Sequence, residues 1–503
     1  MGRCSRRSLV LDGALLPPVA LAACAGPAGP GGDPARPAAG KSAATIRFTT
    51  SGAARLADAW QPVLDLYNKP GAPVQLQFTP LEADGAAGGQ QGRGGGYRER
   101  LAGQIAAGNP PDVVALGIFD LLAFVEQGAI GDLSAHAKAR KPGDIQLDDF
   151  WPEQLEACKV KGALYGLPWQ GDALLLFYND ALFQAKNLRT PRDLLQAGNW
   201  TWQTFVEAAQ RVAGPAPPGL QSVVESQRRA AAQRAARSAA RAPAGAAGPS
   251  GAPAAAGQAP PAPGANAARI YGTDRGPWET WVWSNGGELL DPALARCLLD
   301  SPAAIEAFGF VAGLATRYQV VPSQRDLRGV GEVALFDNGQ LGMFFDTRNA
   351  VPRLARLRDG TWDAVPVPRG RRGSVSRLSL SVFAVAAAAP AEAEAFEAVR
   401  FLTSPAAQRQ WAKRGEAVPS RKSAATSPEF LQFAGPTQAT EKANASFLEA
   451  VQKGNARLLP LLARWPDLHQ AANRELRPVF TGDREPADGA RAAKAAVEQL
   501  LTG

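Results

Sequence analysis

Apolar and polar residues alternate from 45 to 50, so the ordered chain opens on a strand. An amphipathic helix follows, with Leu56, Trp60, Val63, Leu64 and Tyr67 on its apolar side, and residues 74–78 return as a strand. Strand, helix and strand in this order call for a parallel pair with a right-handed crossover. Residues 98–107 form a helix with Leu101 and Ile105 inward, ended by Gly108 where a left-handed cap is favoured. Pro110, Pro111 and Asp112 turn the chain into a short buried strand at 113–116, and a further helix through Val125 closes at Gly128. The next β-prone run closes on Leu167 and Pro168, because proline withholds a ladder donor; Trp169, Gln170 and Asp172 then stand on irregular backbone. Residues 173–178 are strand-like again, and Asn179 with Asp180 caps a short helix from Ala181. Thr201 caps a helix at 199–213, and Ser301 with Pro302 begins another. Further helices are predicted at 331–338, 392–402, 406–414 and through 446–501, with strands at 341–345, 363–367 and 378–386. Strands alternating with helices make this an α/β chain.

Composition adds domain number and destination. A chain of 503 residues with 46% apolar content exceeds one ordinary core and predicts two or three domains. The net charge of +8 and a pI near 9.4 trace to particular places: Arg3, Arg6 and Arg7, then Arg228, Arg229, Arg234, Arg237 and Arg241, then Arg369, Arg371 and Arg372. Neither a groove-reading helix nor an aromatic-and-basic sheet accompanies them, which argues against nucleic acid. A basic surface beside anionic lipid headgroups fits better. Residues 1–23 read as a signal peptide: a basic tip and an apolar stretch lead to Leu21-Ala22-Ala23-Cys24, a lipoprotein box. Cleavage before Cys24 and a lipid on its sulfur are expected, and Ser5-Arg6-Arg7-Ser8-Leu9 also looks like a twin-arginine signal. Residues 24–44 read as a flexible tether, and 214–268, rich in Ala, Pro, Gly, Gln and Arg, as a disordered insertion. Cys158 and Cys297 read as two buried thiols.

Several apparent motifs dissolve on inspection. Gly92 to Gly96 lacks the preceding strand and the Gly-Lys-Ser/Thr of a phosphate loop. Asp148, Asp149 and Glu153 suit a solvated helix start better than a catalytic pair, because neighbours at i and i+1 do not face each other. His136 and His469 read as surface residues, without HExxH or GxSxG around them. No cofactor or metal is expected. What remains is an indole, an amide and a carboxylate, Trp169, Gln170 and Asp172, where one strand hands over to the next. An aromatic face and two hydrogen-bonding groups suit a polar, ring-shaped ligand. Trp278 and Trp281 lie three apart on one helical face with Trp283 turned elsewhere, so the three cannot line one surface. Arg348 pairs either with an anionic ligand or with Asp346.

Seven stretches in order carry a resemblance: YRERLAGQIAAGNPPDVVAL (97–116), AFVEQGAIGDL (123–133), GALYGLPWQGDALLLFYNDALF (162–183), TWQTFVEAAQRV (201–212), WSNGGELLD (283–291), ALFDNGQLGMFF (334–345) and FLTSPAAQRQWAKRGEAVPSRKS (401–423). Together they resemble the family 1 extracellular solute-binding proteins of ABC importers, the maltose-binding-protein-like group. The resemblance implies a type II periplasmic-binding-protein-like fold of two lobes joined by three hinge crossings. Lobe 1 is expected at 45–169 and 346–377, lobe 2 at 170–345 and 378–503. It further implies a lipid-anchored, extracytoplasmic, monomeric receptor that passes a sugar or oligosaccharide to a permease and is not an enzyme. The implied ligand-binding residues are Ser51, Gly52, Gly117, Ile118, Asp120, Trp169, Gln170, Asp172, Trp281, Trp283, Asn285, Gly286, Phe345, Asp346, Arg348 and Arg377, with an aromatic contribution near Arg464 and Trp465. Two arginines in that set, Arg348 and Arg377, also permit an acidic sugar or a sugar phosphate such as glycerol 3-phosphate. The rival readings are a secreted glycoside hydrolase, which needs a second carboxyl roughly 5 to 9.5 Å from Asp172, and a tethered adhesion protein.

Overall fold

The apolar runs pair into two large sheets. The computed structural model describes residues 44–51, 57–72, 74–81, 95–215, 269–327, 331–357, 362–433 and 438–502. Cys24, Gly52, the expected signal peptide, the tether up to residue 43 and the stretch 216–268 lie outside the described residues. In chain order the strands are β1 (Ala44–Thr49), β2 (Val74–Phe78), β3 (Val113–Gly117), β4 (Lys159–Val160), β5 (Ala163–Leu164), β6 (Leu167–Ala173), β7 (Leu175–Tyr178), β8 (Gly214–Pro215), β9 (Arg269–Thr273), β10 (Leu341–Asp346), β11 (Asp363–Val365), β12 (Ser376–Val385), β13 (Val418–Pro419) and β14 (Ala456–Leu458).

The first sheet runs β13-β6-β12-β3-β1-β2, with β14 added to β12. Within it β1 is parallel to β2 and β3, whereas β12 is antiparallel to β3 and β6. The strands β1, β2, β3 and β6 therefore all point the same way. The second sheet runs β11-β7-β10-β9-β8; β9 and β10 are parallel, and β7 is antiparallel to β10 and β11.

Each sheet buries its apolar side chains under helices. Trp60, Leu121 and Phe396 of helices Ala57–Tyr67, Ile118–Glu126 and Glu392–Leu402 share a core with Phe48, Val114 and Phe383. Phe205, Trp281, Phe308 and Leu476 of helices Trp202–Val212, Trp278–Ser284, Pro302–Thr316 and Trp465–Thr481 do the same with Ile270 and Met343. A third cluster joins Phe177, Phe344 and Trp362 to Phe447 and to Leu378 of β12.

The chain changes sheet at Leu174, returns between Val365 and Ser376, and after β14 enters helices Trp465–Thr481 and Pro486–Thr502, whose apolar residues belong to the second sheet's core. Two expected lobe segments differ from this path. Residues 346–377 include β11, which pairs with β7 of the second sheet, and residues 378–503 begin with β12, at the centre of the first. Strand partners lie far apart in sequence, so a local apolar run says that a strand exists and not which sheet receives it. A second difference concerns Trp169 to Asp172, which belong to strand β6 and not to irregular backbone. Pro168 is accommodated at a register shift opposite Ser381 and Val382, where no ladder donor is required of it. Gly214 and Pro215, expected in the insertion, pair with Ile270 and Arg269. The tail departs from continuous helix at β14.

Local signals hold elsewhere. Asn179 Oδ1 accepts the Leu182 N–H at 3.1 Å and Thr201 Oγ1 the Thr204 N–H at 3.3 Å, each capping its helix. Gly108 adopts φ +71°, the left-handed conformation its position calls for. Cys158 and Cys297 are free and buried.

Candidate ligand-binding site

The topology brings two strand-end edges together. β6 ends at Ala173, on the edge where β1, β2 and β3 also end. After the single intervening residue Leu174, β7 begins, with Leu175 opposite Asp346, the last residue of β10. β9 is parallel to β10 and ends on the same side. The carboxyl ends of both sheets thus meet around Leu174. In open α/β sheets the loops beyond the carboxyl ends are where ligands are held.

Polar residues gather at these ends. The first sheet supplies Thr50 and Ser51 after β1, Gly117 at the end of β3 and Asp172 near the end of β6; the second supplies Thr273, Asp274 and Arg275 from β9, and Asp346 and Thr347 from β10. Asp172 Oδ1 accepts the Arg348 N–H at 2.9 Å, a bond from the end of β6 in the first sheet to the segment just after β10 in the second. Burial pushes the Asp172 carboxyl up to about 7, against the pull of that N–H and the Thr347 hydroxyl. The Asp274 carboxylate accepts the Phe345 N–H at 3.2 and 3.3 Å, and burial with the charges of Glu332 and Asp346 raises it well above the usual range. Asp346 Oδ1 accepts the Thr347 N–H at 2.8 Å, and burial pushes its carboxyl up to about 6. Asp120 faces Arg98 at 3.4 Å, while the neighbouring Tyr97 hydroxyl donates to the Ala115 carbonyl at 2.9 Å. The Thr50 and Thr273 hydroxyls are buried without a hydrogen-bond partner. Among the described residues, no three His, Cys, Asp or Glu side chains are arranged to hold a metal ion.

Over residues 90–434 the sequence matches the family described as bacterial extracellular solute-binding protein. The chain belongs to this family. In fold, this solute-binding protein is similar to an ABC substrate-binding protein of Listeria monocytogenes in complex with cycloalternan, with TM-score 0.67 and 17% identity over 92% of this chain and 99% of that one. It is similar as well to the cyclic α-maltosyl-1,6-maltose binding protein of Arthrobacter globiformis, with TM-score 0.65 and 18% identity over 92% and 100% of the two chains. A mannitol-binding protein of Pseudomonas aeruginosa is 31% identical over 119 residues, which span 24% of this chain and 25% of that relative. The fold is thus the two-lobed periplasmic-binding-protein kind.

Within the solute-binding protein, the residues expected at the ligand separate into two groups. Ser51 and Gly117 are exposed, and Asp120, Asp172 and Asp346 are half-buried at the meeting edges. The aromatic platform is a correction: Trp169 is only 6% exposed and packs among Trp60, Phe383 and Trp411, with ring centroids 4.9 to 5.4 Å away. Gln170 Oε1 accepts the Trp411 indole N–H at 3.1 Å. Trp281 and Trp283 are buried, as is Trp278; the Trp281 indole donates to the Arg275 carbonyl, and Arg457 lies over the Trp283 ring. Ile118 and Phe345 belong to the cores. Asn285 donates to the Ala303 carbonyl at 2.9 Å and Glu306 at 3.0 Å, and Gly286 at φ +89° ends the helix before it. Trp465 is a core residue too.

Both arginines are engaged elsewhere. Arg348 is fully buried, donates to Asn444 at 2.9 and 3.2 Å and lies over the Phe430 ring at 4.3 Å, so it pairs with neither Asp346 nor a cleft anion. Arg377 faces Glu279 at 3.8 Å. Burial alone would raise Glu279, yet His469 at 2.7 Å and Arg377 hold its carboxyl down at about 2. His469 is therefore half-buried between Trp278 and Trp465 and not a plain surface residue. Asp149 accepts from the Ser423 N–H at 2.9 Å and hydroxyl at 2.7 Å. Sequence reasoning missed Asp274, Arg275 and Phe119, the last packed against both sheets' cores. The stretch RIYGT at 269–273 is a strand, and the rule that ligands lie beyond the carboxyl ends of strands in α/β sheets leads from it to Asp274.

Proposed function

We propose that the chain is a lipid-anchored, extracytoplasmic receptor that closes on a soluble carbohydrate between two lobes and delivers it, unchanged, to an ABC importer permease. The lobes of this reading follow the sheets: 44–173 with 376–458, and 175–365 with 465–502. The observation that carries it is the meeting of both sheets' carboxyl ends around Leu174. A ligand held there touches both halves only when they approach, so binding favours the closed arrangement. Membership of an extracellular solute-binding family supports the location and the receptor role. The carbohydrate class draws support from relatives whose descriptions name cycloalternan, a cyclic maltosyl-maltose and mannitol. Cys24 would carry the lipid, with the chain acting as a monomer.

The test is thermal unfolding and calorimetry with neutral saccharides and polyols, followed by chromatography of the incubated sugar. A ligand at about 100 times its Kd should stabilise the fold by about 2.7 kcal/mol, with the sugar recovered intact. Absence of any melting shift across the panel, or appearance of cleaved product, would defeat the reading.

A further inference from the structure

We propose that the solute carries an anionic carboxylate or phosphate group, and that Arg275, just beyond β9 on the carboxyl edge of the second sheet, is the residue that selects it. This rests on the carbohydrate-receptor reading. The other arginines near the two edges are matched. Arg98 faces Asp120 at 3.4 Å, Arg377 faces Glu279 at 3.8 Å, and Arg457 binds both oxygens of Glu288 at 3.0 and 2.9 Å. Arg348 turns its guanidinium into the core against Asn444 and Phe430. Arg275 is the exception. It is half-buried, takes part in no ion pair among the described residues, and its buried Nε has no hydrogen-bond partner.

The backbone that carries Arg275 is pinned on both sides. Its own carbonyl accepts the Trp281 indole N–H at 2.8 Å, the Asp274 carboxylate holds the Phe345 N–H, and a Cβ at Gly276, where φ is +61°, would come within 2.8 Å of the Phe345 ring. A guanidinium presented from so fixed a turn is pre-organised for a partner. Burial weighs against its charge, and Glu332 and Asp274 offset only part of that cost. A cation left short of compensation away from water favours an incoming anion, and a carboxylate or phosphate can pair with its planar fork through two hydrogen bonds. The acids of the same edges do not cancel this. Asp172 accepts the Arg348 N–H and Asp346 the Thr347 N–H, so like Asp274 they turn to backbone amides. Burial raises all three carboxyls, so each sheds its negative charge at a higher pH than an ordinary aspartate while Arg275 keeps its own.

The experiment measures the full chain by calorimetry at pH 7.5 against matched sets: glucose with glucuronate and glucose 6-phosphate, maltose with maltobionate, and mannitol with mannonate and mannitol 1-phosphate. The expected result is that in at least one set an anionic member binds more tightly than its neutral partner by at least about tenfold. Tighter binding of the carboxylates, of the phosphates or of both supports the inference and says which group is taken. Arg275→Gln should bring the ratio close to one, and Arg275→Lys, which keeps the charge without the fork, should retain part of it. Because a ratio of two affinities is read, a general loss of folding in a variant would not mimic the effect. The parent chain supplies a second measurement that needs no substitution: lowering the pH to 5 should raise the ratio for the carboxylate sets. There Asp172, Asp274 and Asp346 take up protons, Arg275 and the Arg98 facing Asp120 stay charged, and the ligand carboxylates stay ionised; Glu332 is the remaining acid facing Arg275. A neutral member that binds as well as its anionic partners in every set, or a ratio unchanged by Arg275→Gln, overturns the inference and leaves the carbohydrate reading intact. Binding by no member of any set overturns both.

Discussion

Asp172 accepts the Arg348 N–H at 2.9 Å in surroundings that push its carboxyl up to about 7, chiefly by removing water. An unfolded aspartate titrates at about 3.9. Between those values the folded chain holds a proton that the unfolded chain has lost, so this group's stabilising effect is fully present below about pH 4 and is lost as pH rises through about 7. After allowance for solvent screening, the loss should be on the order of 1 to 3 kcal/mol. Asp274 and Asp346 contribute with the same sign. Urea midpoints measured from pH 4.5 to 8.5 should therefore fall with pH, and Asp172→Asn, which keeps an acceptor oxygen, should flatten the slope without abolishing it. An unchanged slope in the variant would place the titration elsewhere.

At the scale of elements, β8 and β9 close the base of the stretch 216–268. Gly214 and Pro215 pair with Ile270 and Arg269, so the chain leaves and re-enters the second sheet at adjacent positions. Two ends this close can be joined by a short turn. Replacing residues 217–267 with a few glycines and serines should leave carbohydrate affinity unchanged. Each halving of loop length favours closure by about 0.6 kcal/mol, so stability should be equal or higher by up to about 2 kcal/mol. Calorimetry and urea unfolding of the shortened chain check this, and a tenfold loss of affinity would show that the stretch takes part in binding. Elements were the most legible level of this chain. The caps at Asn179 and Thr201 and the glycine at 108 follow from groups only a few residues apart. Pro168 misled for the same reason: its missing donor is a local fact, while the register shift that tolerates it is made by β12, more than two hundred residues on.

Across the whole molecule, Phe119 packs against the cores of both sheets, and Asp172 with Arg348 and Arg377 with Glu279 bridge the same divide. Phe119 is half-buried beside exposed Gly117, which suits a side chain that a ligand would cover on closure. Phe119→Ala should weaken the best neutral sugar by at least about tenfold, or about 1.4 kcal/mol, with the ligand-free unfolding midpoint close to that of the parent. Parent-like affinity in the variant would assign Phe119 to packing alone. The sequence by itself determined that this is an α/β chain, where most of its strands, helices and caps lie, and which family it resembles, because periodicity, capping and motif order are properties of neighbours along the chain. Tertiary structure alone decided which polar groups are left at the meeting edges. Trp60, Phe383 and Trp411 arrive from distant segments to enclose Trp169, Asn444 takes the Arg348 guanidinium, and Glu279 faces Arg377. Burial is set by what packs on a side chain, and those partners are fixed only once the sheets have formed.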